Sequence, residues 1–337
     1  RDIDPAAIGS YLSYMAVPAP QTIYRSIRKL PPAHVLTLKD GRASLRRYWQ
    51  LSFVPKQHLS DAEAAERSVE LLREAVRKRL VSDVPIGAFL SGGVDSSAVV
   101  ALMAELSDQP VKTFSIGFDE EAYNELPYAR RVAEEFGCDH HEFIVQPKAV
   151  EVLPKLVQHF GEPFADSSAI PTSYVAALTR EHVTVALTGD GGDEAFGGYG
   201  RHRANALAET FADTLSFDSI RDVVKSLGRS SHGQSGMVAR IKRFIHAATS
   251  TRSERYRAWA GVMSDDLILE VFPTVIETDV AVREMFEKYR TLDAIDAFLA
   301  IDTEFYLPTD LLVKMDITTM MHSLEARSPF LDHQLVE

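Results

Sequence analysis

Cysteine is almost missing: Cys138 is the only one in 337 residues. That excludes an internal disulfide and any cysteine-rich zinc cluster, and it fits a reducing compartment, so the cytoplasm is the expected location. Long apolar runs are lacking as well. Stretches such as "AVVALMA" at 98–104 fall far below the roughly 18 residues that a membrane span requires, so no membrane partner is expected. Positive charge is in deficit, with 36 lysines and arginines against 48 acidic residues and a net charge of −12. That balance disfavours broad contact with a phosphate backbone and argues against nucleic acid as the main partner. No internal repeat or low-complexity tract is visible. There is no initiating methionine, no signal-like stretch, and no polar tail after "SPFLDHQLVE", so segments on either side are expected.

What is present has the balance of an ordinary globular protein, 45% apolar and 25% charged, with length enough for one large domain or two. Residues 1–57 have a texture of their own. "AIGSYLSYMAVP" predicts a short helix ended by Pro18, and "HVLTLKDGRASLRRYWQL" predicts two strands turning at Asp40-Gly41, the edge of a β-rich unit. "FVPKQHLSD" at 53–61 is read as a linker. Ser60 and Glu63 then form a capping-box pattern ahead of a helically spaced segment.

From there strands and helices alternate. Strand-like runs at 84–91, 111–118, 140–145 and 182–189 are separated by helical segments near 96–106, 124–136, 148–159 and 168–180. This order predicts an α/β fold with a parallel sheet covered on both faces, whose ligands lie beyond the carboxyl ends of the strands. After about residue 200 the strand signal fades, and stretches such as "IRDVVKSLG" and "LDAIDAFLAIDTEFY" predict a mostly helical region.

Chemistry is concentrated in two glycine-rich corners. "AFLSGGVDSSAVVALMAEL" at 88–106 runs from a strand into a helix, where unpaired N–H groups and the helix dipole favour an anion. Gly92 and Gly93 let the backbone come close to a phosphate, and Ser91, Ser96 and Ser97 add hydroxyl donors. Asp95 is out of place among phosphate donors unless Mg²⁺ lies between. The loop lacks the patterns of a Walker loop and of a Rossmann fingerprint. "VALTGDGGDEAFGGY" at 185–199 is a second corner, carrying Gly189, Asp190, Asp193 and Glu194 to the same predicted sheet edge. The plainer alternatives are a tight turn with N-capping serines and an acidic surface loop.

"SGGVDSS" resembles the pyrophosphate loop of the ATP pyrophosphatases, which cleave ATP between its α and β phosphates. Taken with "TGDGGDE", it is similar to the synthetase domain of glutamine-dependent asparagine synthetases, a family that includes β-lactam synthetases and other amide-forming relatives. The likeness covers nearly the whole chain. "IRKLPPAHVLTL" and "RRYW" resemble the end of the family's glutaminase domain, while "SIGF", "EPFADSSAIPT", "LLVKMD" and "HSLEARSPFLDH" resemble further synthetase blocks. The resemblance implies an adenine-nucleotide α-hydrolase-like (ATP pyrophosphatase) domain over 58–337, with a helical C-terminal region. A fragment of a β-rich glutaminase domain precedes it over 1–57.

The resemblance also implies roles. Ser91, Gly92, Gly93, Asp95, Ser96 and Ser97 would meet phosphate, with Asp95 and Asp193 on Mg²⁺. Leu90, Ser115, Ile116 and Gly117 match positions beside the adenine of ATP, and Gly189 belongs to the same nucleotide site. Asp190 stands where relatives carry a substrate-side glutamate, and with Glu194 and Lys314 it is a catalytic candidate. Arg327 matches a second basic position facing phosphate, and 166–172 would lie along the substrate pocket. Ile317 replaces a basic residue of relatives, and the family's lysine block beyond "FLDH" is not in this sequence.

The implied reaction adenylates the side-chain carboxylate of aspartate or a related acid, releases pyrophosphate, and uses ammonia from a glutaminase domain to form the amide. A relative acting on another biosynthetic carboxylate and a silent ATP-binding module are the alternatives. A tRNA-thiolating enzyme is disfavoured by the acidic charge and the lack of a cysteine pair. A homodimer is a possible assembly. Cys138 lies mid-chain and is not the glutaminase nucleophile; it is read as a structural thiol, and His140 and His141 as strand residues rather than metal ligands.

Overall fold

In the computed structural model of the chain, residues 2–118, 124–145, 149–214, 250–273 and 280–337 are described. They fall into two compact units, one of residues 50–195 and 307–337 and another of residues 1–49 and 196–306.

The first unit is built on a parallel sheet. Counting a hairpin described below as β1 and β2, its strands are β3 (Ile86–Phe89), β4 (Lys112–Gly117), β5 (Asp139–Ile144), β6 (Val185–Leu187) and β7 (Glu325–Arg327), in the spatial order β5-β4-β3-β6-β7. The central strands are short and apolar because both faces are covered. Ala88 and Leu90 on β3 and just beyond it, with Val185 and Leu187 on β6, face a core completed by Leu72, Val76, Val99, Val100 and Met103 from the helices Asp61–Arg79 and Val94–Leu106. Alternate residues look the other way. Ala186 joins Phe114, Ala176 and Leu324 in a second cluster with the helix Ala169–Arg180.

Local chemistry sets the boundaries. The helix Asp61–Arg79 opens with the predicted capping box, in which Glu63 N–H donates to Ser60 Oγ and Ser60 N–H donates to Glu63 Oε2 at 2.8 Å. Gly87 sits where an added Cβ would lie 2.6 Å from Phe114 Cε2, so only glycine lets β3 and β4 pack at that point. Strand β7 was not predicted. It has three residues, too few to show an alternation, and it exists because Glu325–Arg327 pair with Val185–Leu187.

The second unit carries the hairpin β1 (His34–Lys39) and β2 (Arg42–Arg47), joined through Asp40 and Gly41 at φ 51° and 74°. Two positive φ values in a row are the backbone of a two-residue hairpin turn, as the Asp-Gly pair predicts. The helix Pro5–Tyr14 starts at Asp4, whose carboxylate accepts from Ala6 N–H, and stops at Met15. That end precedes the expected stop at Pro18 by several residues. Helices follow at Gly200–Thr214, Arg252–Ala260, Asp265–Val271, Val280–Lys288 and Ala294–Ile301. The predicted amphipathic stretch "IRDVVKSLG" lies outside the described residues.

This unit is organised around a buried charge. Asp302 is fully buried and accepts from Tyr256 Oη at 2.7 Å, His202 Nε2 at 2.6 Å and Arg201 Nη2 at 3.0 Å. A carboxylate taken out of water needs such donors, and each charged hydrogen bond contributes about 1.5–3 kcal/mol. Tyr256→Phe is therefore expected to lower unfolding stability by about 2 kcal/mol with the helical content retained. A urea titration followed by circular dichroism checks this, and a loss below about 0.5 kcal/mol shows that the remaining donors suffice.

Candidate functional site

Strands β3 and β6 are parallel neighbours, with Ile86 opposite Val185 and Ala88 opposite Leu187. Both chains therefore leave the sheet at the same edge, and the two glycine-rich corners emerge side by side. Their separation in sequence is closed by one pair of strands.

Glycine makes the approach possible. An added Cβ at Gly192 would lie 2.4 Å from Cγ and Oδ2 of Asp95, and one at Gly189 would lie 2.9 Å from Ser96 N. No side chain fits between the loops at those points. Gly191 has φ +92° and its Cβ would meet Leu331 at 2.6 Å; Gly92 has φ +80° and its Cβ would meet Ala129 N at 2.5 Å. Both positions need glycine for conformation as well as for space.

Within the first loop the serines divide their work. Ser96 Oγ accepts from Ser91 N–H at 3.2 Å and lies 3.0 Å from Ser91 Oγ, which in turn accepts from Gly93 N–H at 3.2 Å. Those two hydroxyls hold the loop in shape. Ser97 Oγ is different, being buried with no hydrogen-bond partner. The helix Val94–Leu106 begins at Gly93 with no side chain capping it, which leaves first-turn N–H groups for an anion. A tight glycine cradle, an uncapped helix start and an unsatisfied hydroxyl are what a phosphate group would complete.

Three carboxylates meet here. Burial raises the pKa of Asp95, and the charges of Asp193 and Asp190 raise it further. Burial also raises that of Asp190, against the pull of a hydrogen bond from Thr188 Oγ1 at 2.7 Å and the charge of Lys314. Mutual repulsion of this kind is what a cation relieves. Among the described residues no three acidic, histidine or cysteine side chains form a metal cage by themselves. A magnesium ion on Asp95 and Asp193 would take its other oxygens from phosphate and water, the usual division for that ion. Glu194 is 1% exposed, on the short helix Gly192–Phe196.

Lys314, also reached by the charge of Asp190, is buried on the helix Leu312–Met320 and donates to Asp166 Oδ2 at 2.9 Å and Ser168 Oγ at 2.8 Å. Burial acts to raise the pKa of Asp166, but the Lys314 charge and the bonds from Lys314 and Ser168 outweigh it and hold the group low. The stretch 166–172 thus serves as a helix start, with Asp166 accepting from Ser168 N–H at 2.8 Å, and as the partner of Lys314. Asp310 was not foreseen. It is 1% exposed, neither carboxylate oxygen has a hydrogen-bond partner, and burial first and Asp166 second push its pKa up to about 7 against the pull of Lys314. The sequence signal was its position four residues before Lys314.

The remaining predicted positions separate. Leu90 and Ser115 are buried and bonded to the sheet, Leu90 N–H donating to Phe114 O at 2.9 Å and Ser115 Oγ donating to Leu90 O. Gly117 packs against Leu126, and Ile116 is partly exposed. Arg327 is a correction. Its guanidinium donates to the carbonyls of Arg79 and Val81 at 2.8 and 2.9 Å and to Glu325 at 2.7 Å. Those carbonyls lie at and just past the C-terminal end of the helix Asp61–Arg79, where helical partners run out, so Nη1 of Arg327 ties β7 to that helix end while Nε holds Glu325. Cys138 is partly buried, which raises its thiol pKa, and His140 lies 2.8 Å from Thr113 Oγ1 on the neighbouring strand.

The sequence pattern of the asparagine synthase family matches residues 68–337, and that of a glutamine amidotransferase domain matches residues 1–49. A glutamine-hydrolyzing asparagine synthetase of Bacillus subtilis is 31% identical over 337 residues, covering 98% of this chain and 52% of its own. A Mycobacterium tuberculosis protein provisionally given the same name is 32% identical over 344 residues, covering 99% and 51%. The amidase chry2 of Gibberella zeae is 28% identical over 354 residues, covering 94% and 52%. The chain thus spans about half the length of these curated relatives. A solved NAD+ synthetase from Burkholderia pseudomallei aligns with 70% of the chain and 91% of its own, at 16% identity and a TM-score of 0.25. No helix among the described residues is long and apolar enough to cross a membrane.

Proposed function

The chain belongs to the asparagine synthase family, and from that premise we propose that it activates the side-chain carboxylate of aspartate, or of a closely related acid, with ATP. The observation that supports this most directly is the contact of the two corners, with Asp95 lying against Gly192 at the shared sheet edge. One loop offers N–H groups and Ser97 Oγ to phosphate, and the other offers Asp193. Magnesium, when bound, would offset charge on the departing pyrophosphate.

The chain's own residues supply position and charge. The first loop holds the triphosphate so that the α-phosphorus faces the acid, whose oxygen attacks it while the bond to the pyrophosphate oxygen breaks. Ammonia then attacks the acyl carbon, AMP leaves, and the nitrogen loses a proton. Lys314, Asp190 and Glu194 stand on the acid's side of the reaction, Lys314 stabilising negative charge in the transition state. Residues 1–57 are the end of a glutaminase-type domain that supplies the ammonia, and a reducing cytoplasm suits the lone thiol.

Pyrophosphate release by the full-length protein, measured with Mg-ATP and a panel of carboxylic acids, tests this. Release with aspartate, followed by ammonia- or glutamine-dependent AMP formation, is the expected result. Release with another acid alone favours a second reading, for which the likeness to a fungal amidase speaks. No release with any acid, despite bound nucleotide, overturns both.

A further inference from the structure

We propose that Ser328 is a positioning residue for the cation site: its hydroxyl fixes the backbone of the second glycine-rich corner, and with it the place of Asp193 opposite Asp95. This rests on the magnesium-nucleotide reading above and adds a residue to it. Gly189, Gly191 and Gly192 surround Asp190 in that corner. Their close packing against Ser96, Leu331 and Asp95 leaves no room for a side chain, but each glycine also adds backbone freedom that a folded turn must suppress. The turn accounts for two of its own carbonyls, Gly192 N–H donating to Gly189 O at 3.3 Å and Ala195 N–H donating to Gly191 O at 3.0 Å. To Asp190 O, between them, the hydroxyl of Ser328 donates.

The donor stands on a rigid bracket. Ser328 precedes Pro329, which confines its backbone to the extended region, and it has φ −105° and ψ 118°. Its carbonyl accepts from Arg79 Nε at 3.1 Å, and Arg79 Nη1 donates to Asp332 Oδ2 at 2.7 Å. One residue earlier, Arg327 O accepts from Thr188 N–H at 2.9 Å. The end of the helix Asp61–Arg79 thus reaches the acidic corner through the Ser328 side chain.

Packing alone sets less. The contact of Gly192 with Asp95 limits how near the two loops come, whereas a directed hydrogen bond fixes where the peptide stands. Asp193 follows closely on the bonded carbonyl, in the first turn of the short helix Gly192–Phe196, so a shift of that carbonyl carries the carboxylate with it.

The test is binding of Mn²⁺, a paramagnetic substitute for Mg²⁺, to the full-length protein in the presence of α,β-methylene-ATP, followed by the resonance signal of free Mn²⁺. Ser328→Ala is expected to raise the Kd for Mn²⁺ about tenfold, the fold-change that corresponds to one lost hydrogen bond. Ser328→Thr, which keeps the hydroxyl, should restore wild-type affinity. Circular dichroism establishes that each variant is folded. If Ser328→Ala does not fold, Ser328→Cys, similar in size with a weaker donor, decides by the same measure. Unchanged Mn²⁺ affinity in the folded variant overturns the proposal, as does equal weakening in Ser328→Thr, because the hydroxyl is then not what sets the site. Wild-type protein that takes up neither Mn²⁺ nor nucleotide overturns the magnesium-nucleotide reading itself, and the role of Ser328 with it.

Discussion

Asp95→Asn is expected to lower ATP-dependent pyrophosphate release by about 10²–10³-fold, the range seen when one charge-stabilising group is removed from a reacting site, while the protein stays folded. The asparagine has nearly the same shape, so it fits against Gly192 where a larger group would not, but it cannot place a negative charge beside Asp193. The stability consequence has a definite sign. Burial and the charges of Asp193 and Asp190 raise the pKa of Asp95 in the folded state, so its ionised form opposes folding once the pH exceeds the ordinary carboxylate value of about 4. In metal-free protein the variant should match the wild type in acid and be slightly more stable at pH 8. Thermal melts at both pH values, with the release assay beside them, check this. Turnover within a few-fold of wild type removes Asp95 from the cation site.

Lys314→Met should damage stability and activity together. The methionine keeps most of the side-chain volume, but Asp166 loses a hydrogen bond and its neutralising charge, and Asp190 and Asp310 lose a nearby cation. Removing one partner of a buried ion pair typically costs about 3–5 kcal/mol. Because the folded pKa of Asp166 is depressed, the stability gained from the pair is present above the unfolded carboxylate value and lost as pH falls through the folded value. The variant's deficit should therefore be large at pH 7 and shrink toward pH 3. A drop in kcat of about 10²-fold is expected alongside. Denaturant titrations at the two pH values separate the effects, and an equal deficit in acid would show that Lys314 acts through packing instead of charge.

Much of the candidate site can be picked out before any fold is known. Paired glycines at the end of an apolar run, followed by serines and an aspartate, can be read as a phosphate corner because the chemistry is local to a few consecutive residues. The same holds for the Asp40-Gly41 turn and for the Ser60 capping box, where the donors and acceptors lie within three positions. Arg327 was misjudged because its motif resembles a phosphate-facing block, whereas its actual partners are the carbonyls of Arg79 and Val81, some 250 positions earlier in the chain. Strand β7 had no pattern of its own and gained its identity from β6. Asp310 was not singled out because nothing in its neighbouring residues shows that the folded chain encloses its carboxylate without a donor.

The linear order of residues thus determined, unaided, where glycine corners, caps and strand-forming runs stand, since each depends on short-range sterics and hydrogen bonding along a continuous backbone. Tertiary structure alone decided which corner meets which: that Gly192 leaves space for Asp95, that Asp166 neutralises Lys314, and that Asp310 is left enclosed without a donor. Those pairings arise from strand register and packing between segments far apart in the chain, and burial sets their energies because an unpaired charge loses water only when the whole core closes around it.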